Sequence, residues 1–151
     1  MNQFILTGHV VFGVAAILAA VWVFVDALHA SALNARRIRV VAWCSAAFMW
    51  FSFLIGGYWY VTFYHVDKAI ILKGPWPFAH EILMETKEHI VILMLLLATC
   101  LPIVAMDNLA GSKAVRAMLL WVSAITVVVG LGIEGLGSLI SLGVKVALLM
   151  L

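Results

Sequence analysis

Charge is scarce in this sequence. Its 151 residues include nine Lys and Arg and seven Asp and Glu, 11% in all, where a soluble domain carries about a quarter. So few charges cannot coat a water-facing globule, which excludes an ordinary soluble fold, and a net charge of +2 offers no basic surface for nucleic acid. Cysteine is scarcer still, with Cys44 and Cys100 alone in the chain. No CxxC, HExxH, GxSxG, Walker or EF-hand pattern occurs, so redox-thiol, hydrolase and nucleotide-binding chemistry have no residues to rest on. The letters Gly130-x-Gly132-x-x-Gly135 match a dinucleotide fingerprint, but they sit in an apolar run with no strand before them and carry no such meaning.

What the chain has instead is long apolar runs: 66% of its residues are hydrophobic and the mean hydropathy is +1.19. A spanning helix needs roughly 17 to 25 such residues, and four runs qualify, at 4–28, 40–64, 90–106 and 117–133. A further apolar segment, 135–151, carries Lys145 and reads equally as a short fifth span, a re-entrant piece or an interfacial helix. Met1-Asn2-Gln3-Phe4 lacks the basic region of a cleaved signal, so the first run is expected to stay as an anchor. The expectation is an all-α integral membrane protein: one domain over 1–151, an up-and-down four-helix transmembrane bundle with an additional C-terminal apolar segment.

Arg36, Arg37 and Arg39 between the first two runs, and Lys113 and Arg116 between the last two, assign those turns to the cytoplasmic side. The connection 65–88, whose charges nearly cancel, then lies outside with the N-terminus, as expected in a bacterial cytoplasmic membrane. At that depth His9, His65, His80 and His89 share the outer side, while His29 lies about 30 Å from His9 along a straight helix and cannot join them. Cys44 and Cys100, near the cytoplasmic side, read as small core residues rather than a disulfide.

A histidine within a span is costly unless partnered, which makes His9 a candidate site, although one imidazole can also simply glue helices together. Gly13, Ala16 and Ala20 share its face, a groove that admits either a flat ring or a closely packed helix. Gly56-Gly57 forms a second notch. Glu81, Glu85 and His89 recur at spacing four, as metal ligands do, but with Glu88 they read first as the solvated face of a helix begun by Pro77. Tyr58, Trp59, Tyr60, Phe63 and Tyr64 fit an interfacial belt that can also wall a quinone head group. Lys68, Lys73 and Lys87 read as interface anchors. Glu134 reads first as an interfacial residue and second as a proton site or histidine partner.

His9 in Thr7-Gly8-His9-Val10 and His89 in Lys87-Glu88-His89-Ile90 give the chain a pattern that resembles the small four-helix membrane b-type cytochromes. A weaker similarity, through Phe63-Tyr64-His65 and His89-Ile90-Val91-Ile92, is to small four-helix membrane proteins of haem-copper oxidase assembly. The first resemblance implies one haem b near the outer face, held by His9 and His89 across the bundle, with His65, Gly13 and Gly57 beside it. Its activity would be electron transfer, as an oxidoreductase component linked to a quinone or an extracytoplasmic redox partner. The second implies a factor holding copper, zinc or iron through His65, His89 and Glu85 or Glu81. A third reading is a structural subunit docked by its small-residue faces in a larger membrane complex or homo-oligomer.

Overall fold

The structure is a computed structural model that describes residues 2–150. Four α-helices make up most of it, α1 (Asn2–Leu28), α2 (Ala35–Lys73), α3 (Glu85–Ala105) and α4 (Lys113–Leu148), and a π-helical segment, Ala79–Met84, runs directly into α3. Each is part of a helical stretch long and apolar enough to cross a membrane, and no strand occurs among the described residues. α1 packs on α2 and α4, α3 packs on the same two helices, and α1 and α3 stand diagonally apart. The end holding the start of α1 and the α2–α3 connection is called the upper end below; the α1–α2 and α3–α4 turns form the lower end.

The seam that joins α1 to its neighbours is built mostly of small residues. Ala16, Ala20 and Ala27 are completely buried, together with Val23 and Gly13 on the same stripe, a spacing that keeps one face of the helix against its partners. The groove at Gly13, Ala16 and Ala20 is thus taken up by packed helices: Ser45 Oγ of α2 donates to Ala16 O at 2.9 Å, and Ala16 joins Met49, Met94 and Ala98 in the central core. Below it, Ala20, Val23 and Ala27 meet Ile38, Leu101 and Leu119; above it, Tyr64, Ile71, Ala79, Met84 and Ile140 form a third cluster.

Two helices are longer than hydropathy implies. α2 continues through His65, Asp67 and Lys68 to Lys73, because charge ends a hydrophobic run but does not break a helix; the helix stops where Gly74-Pro75 intervenes. The segment from Gly135 onward is neither a fifth span nor a re-entrant piece: α4 runs unbroken to Leu148, and Leu151, the end of the expected segment, lies outside the described residues. Gly74 at the end of α2 packs on Ala147 of α4. Ser52 of α2 and Glu134 of α4 both approach Gly13, and from that level straight helices would rise about 33 Å to Gly74 but only about 20 Å to Ala147. The upper third of α2 therefore leans across the end of the bundle toward α4.

The lower turns are closed by side chains. Asn34 accepts from Ser31 N at 2.8 Å and donates to Asp26 O and His29 O at 3.2 Å each, holding the carbonyls that end α1. Arg37 grips Asp26 through two 2.7 Å hydrogen bonds, and Arg39 Nε donates to Ala105 O at the end of α3. Cys44 and Cys100 are exposed on the outside of the bundle rather than in its core; an apolar face against lipid and one against protein have the same hydropathy, so composition does not separate them.

Asn34→Ala is expected to lower unfolding stability by about 0.5–1.5 kcal/mol, the net worth of its hydrogen bonds to partly exposed backbone groups, whereas Leu33→Ala, 97% exposed beside it, should change it by no more than about 0.5 kcal/mol. Denaturant titration in detergent, followed by helical circular dichroism, measures both.

Candidate functional site

His9 lies on α1 a few turns below its upper end and is pinned from α2. Its Nδ1 is 2.8 Å from Ser52 O and 2.9 Å from Ser52 Oγ, while Ser52 Oγ donates its own proton to His9 O at 2.8 Å. A carbonyl oxygen can only accept, and the hydroxyl proton is already committed, so Nδ1 carries the ring proton. In the neutral imidazole Nε2 then holds a free lone pair. That ring sits against Gly56, where even a methyl group would come within 2.5 Å of Nδ1. Ser52, 3% exposed, was missed by sequence reasoning, since a lone serine in an apolar helix carries no signal of what it faces.

His9 lines a cleft of about 670 Å³ between α1, α2 and α4. Lys87 of α3 and Glu134 of α4 open into the same space, with Asp67 and Lys145 toward the upper end, and Trp59, Phe63, Leu6, Met84 and Ile140 among its apolar walls. Close backbone approach lets these side chains in. The Glu134 carboxylate rests over Gly13, and the Lys87 ammonium over Gly137. Among the described residues the one ion pair within 4 Å is Arg37–Asp26, so Lys87 and Glu134 share the cleft without closing on each other. A smaller cavity of about 250 Å³ adjoins it, bounded by His9, Lys87, Gly56, Gly57, Tyr60 and Glu88.

The expected residues therefore separate. His9, Gly13 and Gly57 gather around these two spaces. His65 is exposed on α2, and His89 is exposed on α3 with Nδ1 bonded to Glu85 O of its own helix at 2.7 Å. The inward face of α3 is set by Met84, Lys87, Val91, Met94 and Ala98, and His89 falls away from that stripe. α1 and α3 are diagonal, but the residue α3 presents to His9 is Lys87. The residues present do not fit a haem clamped between His9 and His89. No three His, Cys, Asp or Glu side chains converge as a metal set among the described residues. Glu81 and Glu85 are exposed as a solvated face should be, whereas Glu88 is turned inward.

Lys87 and Glu134, read from sequence first as an interface anchor and an interfacial glutamate, are instead the charged floor of the cleft. Lys87 was detectable as a member of the 3–4 stripe on α3; Glu134 stood out only by lying among glycines. Compared with models of protein families, with curated proteins and with solved structures, the chain matches none of them.

Gly56 and Gly57 make a controlled pair, adjacent in one helix, the first beneath the His9 ring and the second with nothing near its missing side chain. Gly57→Ala is expected to hold or raise stability by up to about 1 kcal/mol, and Gly56→Ala to lower it by about 1–3 kcal/mol by pushing the ring off Ser52. Thermal unfolding of the two variants in one detergent compares them directly.

Proposed function

We propose that this chain is an integral membrane protein of electron transfer that binds a quinone or quinol head group in the cleft and exchanges its protons there. The observation that carries this reading is the convergence of the His9 lone pair, the Lys87 ammonium and the Glu134 carboxyl from three helices between apolar and aromatic walls. Ionisable groups inside an apolar bundle are costly and mark ligand or proton sites, and a pocket that is mostly apolar with a few convergent polar groups suits a ring bearing two oxygens and a lipid tail.

A quinol loses two protons and two electrons on becoming a quinone. His9 Nε2 takes one hydroxyl proton and the Glu134 carboxylate the other, each within the ordinary repertoire of general bases. Lys87 donates to the oxygen on which negative charge builds. The electrons leave one at a time to a haem- or copper-bearing partner protein at the upper end. The asymmetry of arginine and lysine between the turns supports that end as the outer face.

Decylubiquinol, kept reduced under anaerobic conditions and retained by the detergent-purified protein after gel filtration, tests the reading, since its hydroxyls donate to His9 Nε2 and to Glu134. The wild type should retain it; His9→Ala and Glu134→Gln should each weaken binding about tenfold or more, the loss of one buried polar contact of about 1.4 kcal/mol. His65→Ala and His89→Ala, both outside the cleft, should not. Equal retention in all five proteins overturns the quinone. A b-type reduced spectrum that disappears in His9→Ala would put haem in its place.

A further inference from the structure

The smaller cavity leads to protonatable groups that the cleft does not use. Glu88 lines it opposite His9. One of its carboxyl oxygens, Oε1, is shut off from solvent with no hydrogen-bond partner. Buried polar atoms in native structures are almost always satisfied, and an orphan carboxyl oxygen calls for a proton or a bridging water. Tyr60 lines the same cavity as Glu88. Tyr60 stacks on Tyr64 one helical turn along, ring centroids 5.0 Å apart, and the Tyr64 hydroxyl meets His80 Nδ1 at 3.0 Å. Tyr64 and His80 are both deeply buried, and His80 is held there by the π-helical segment, a geometry rare in proteins and frequent at functional sites.

We propose that Glu88 is a proton-exchange site and that Tyr60, Tyr64 and His80 carry protons between it and the upper end of the bundle. This rests on the quinone reading for the origin of the protons, not for the path itself. A proton taken up by His9 crosses the small cavity, which has room for water, and re-forms the O–H that Glu88 has given up to the row as the N–H at His9 Nε2 breaks. Glu88 passes a proton to the Tyr60 oxygen as Tyr60 releases its own to a water bridging the two stacked tyrosines, Tyr64 takes a proton from that water as it gives its own to His80, and the N–H formed at His80 Nδ1 is balanced by loss of a proton from Nε2. No tyrosine keeps a net charge. The ionisable groups facing this row are Lys87 and Glu85 from α3, Asp67 from α2, His9 from α1 and Glu134 from α4.

The test uses infrared spectroscopy of the full chain in phosphatidylcholine–phosphatidylglycerol vesicles, with no quinone added. A protonated carboxyl band that shifts in heavy water should vanish in Glu88→Gln and persist in Glu88→Asp. After rapid transfer to heavy water, exchange of that band should slow about 100-fold in Tyr64→Phe and in His80→Asn, the lower end of what a positioned proton-transfer group supplies, while both variants retain decylubiquinol as the wild type does. An unchanged carboxyl region in Glu88→Gln, or equal exchange rates in the three proteins, overturns the path. Full decylubiquinol retention in His9→Ala and Glu134→Gln beside an intact Glu88 band overturns the quinone reading alone and leaves the path standing.

Discussion

Helix backbones approach closely only where side chains are small, and in this bundle that condition is met along one edge of α1, from Gly13 through Ala16 and Ala20 to Ala27. With no hydrophobic effect to drive helices together inside lipid, close packing and a few interhelical hydrogen bonds do the work. Two serines of α2 supply such bonds at separate levels, Ser45 to Ala16 O and Ser52 to His9 O. They fix the register of α1 against α2, and His9 is oriented as a result: the serine that ties the helices together also determines which imidazole nitrogen bears the proton.

The same closeness produces the cleft. Where α1 meets α4 and α3 meets α4, Gly13 and Gly137 leave room for the ends of Glu134 and Lys87. Below this level the seam is alanine and valine and the interior is filled; at it and above, polar groups occupy space that side chains would otherwise take. The lower end is tied down by Asn34, Arg37 and Arg39, each bonded to the chain ending a neighbouring helix. The molecule is thus closed at one end and hollow toward the other, with the leaning end of α2 over the hollow.

Much of the fold was legible in the sequence. Four helical segments, their antiparallel order and the start of the third near Pro77 follow from apolar run lengths and from breakers. The lengths of α2 and α4 did not, because hydropathy measures lipid preference, and a helix that leaves the apolar layer goes on obeying backbone propensity, as α2 does until Gly74-Pro75. The site was half legible. His9 is conspicuous, since a histidine among aliphatics is costly unless it finds a partner, and Gly13 and Gly57 lie near it. His89 misled, because shared depth on diagonal helices places residues at one level without saying which way they face. The rotation of α3 is decided by Met84, Lys87, Val91 and Met94, and a lysine on that stripe runs against the habit of counting lysines as surface residues. Cys44 and Cys100 failed for the complementary reason, that lipid and core accept the same side chains.

A π turn packs more residues into each revolution than an α turn, so a chain passing through one comes out with its side chains rotated relative to an uninterrupted helix. From Ala79 to Met84 this shift lies between His80 and the inward stripe of α3. It lets His80 face Tyr64 while Lys87 faces the cleft, two directions that one regular helix would not serve together at that spacing. Removing a single residue from this stretch would turn everything ahead of it by about 100°. The spacing of the upper histidine from the charged floor is therefore a matter of phase as much as of distance, and a change in length here would decouple the two ends of the row while leaving every one of its side chains in the sequence.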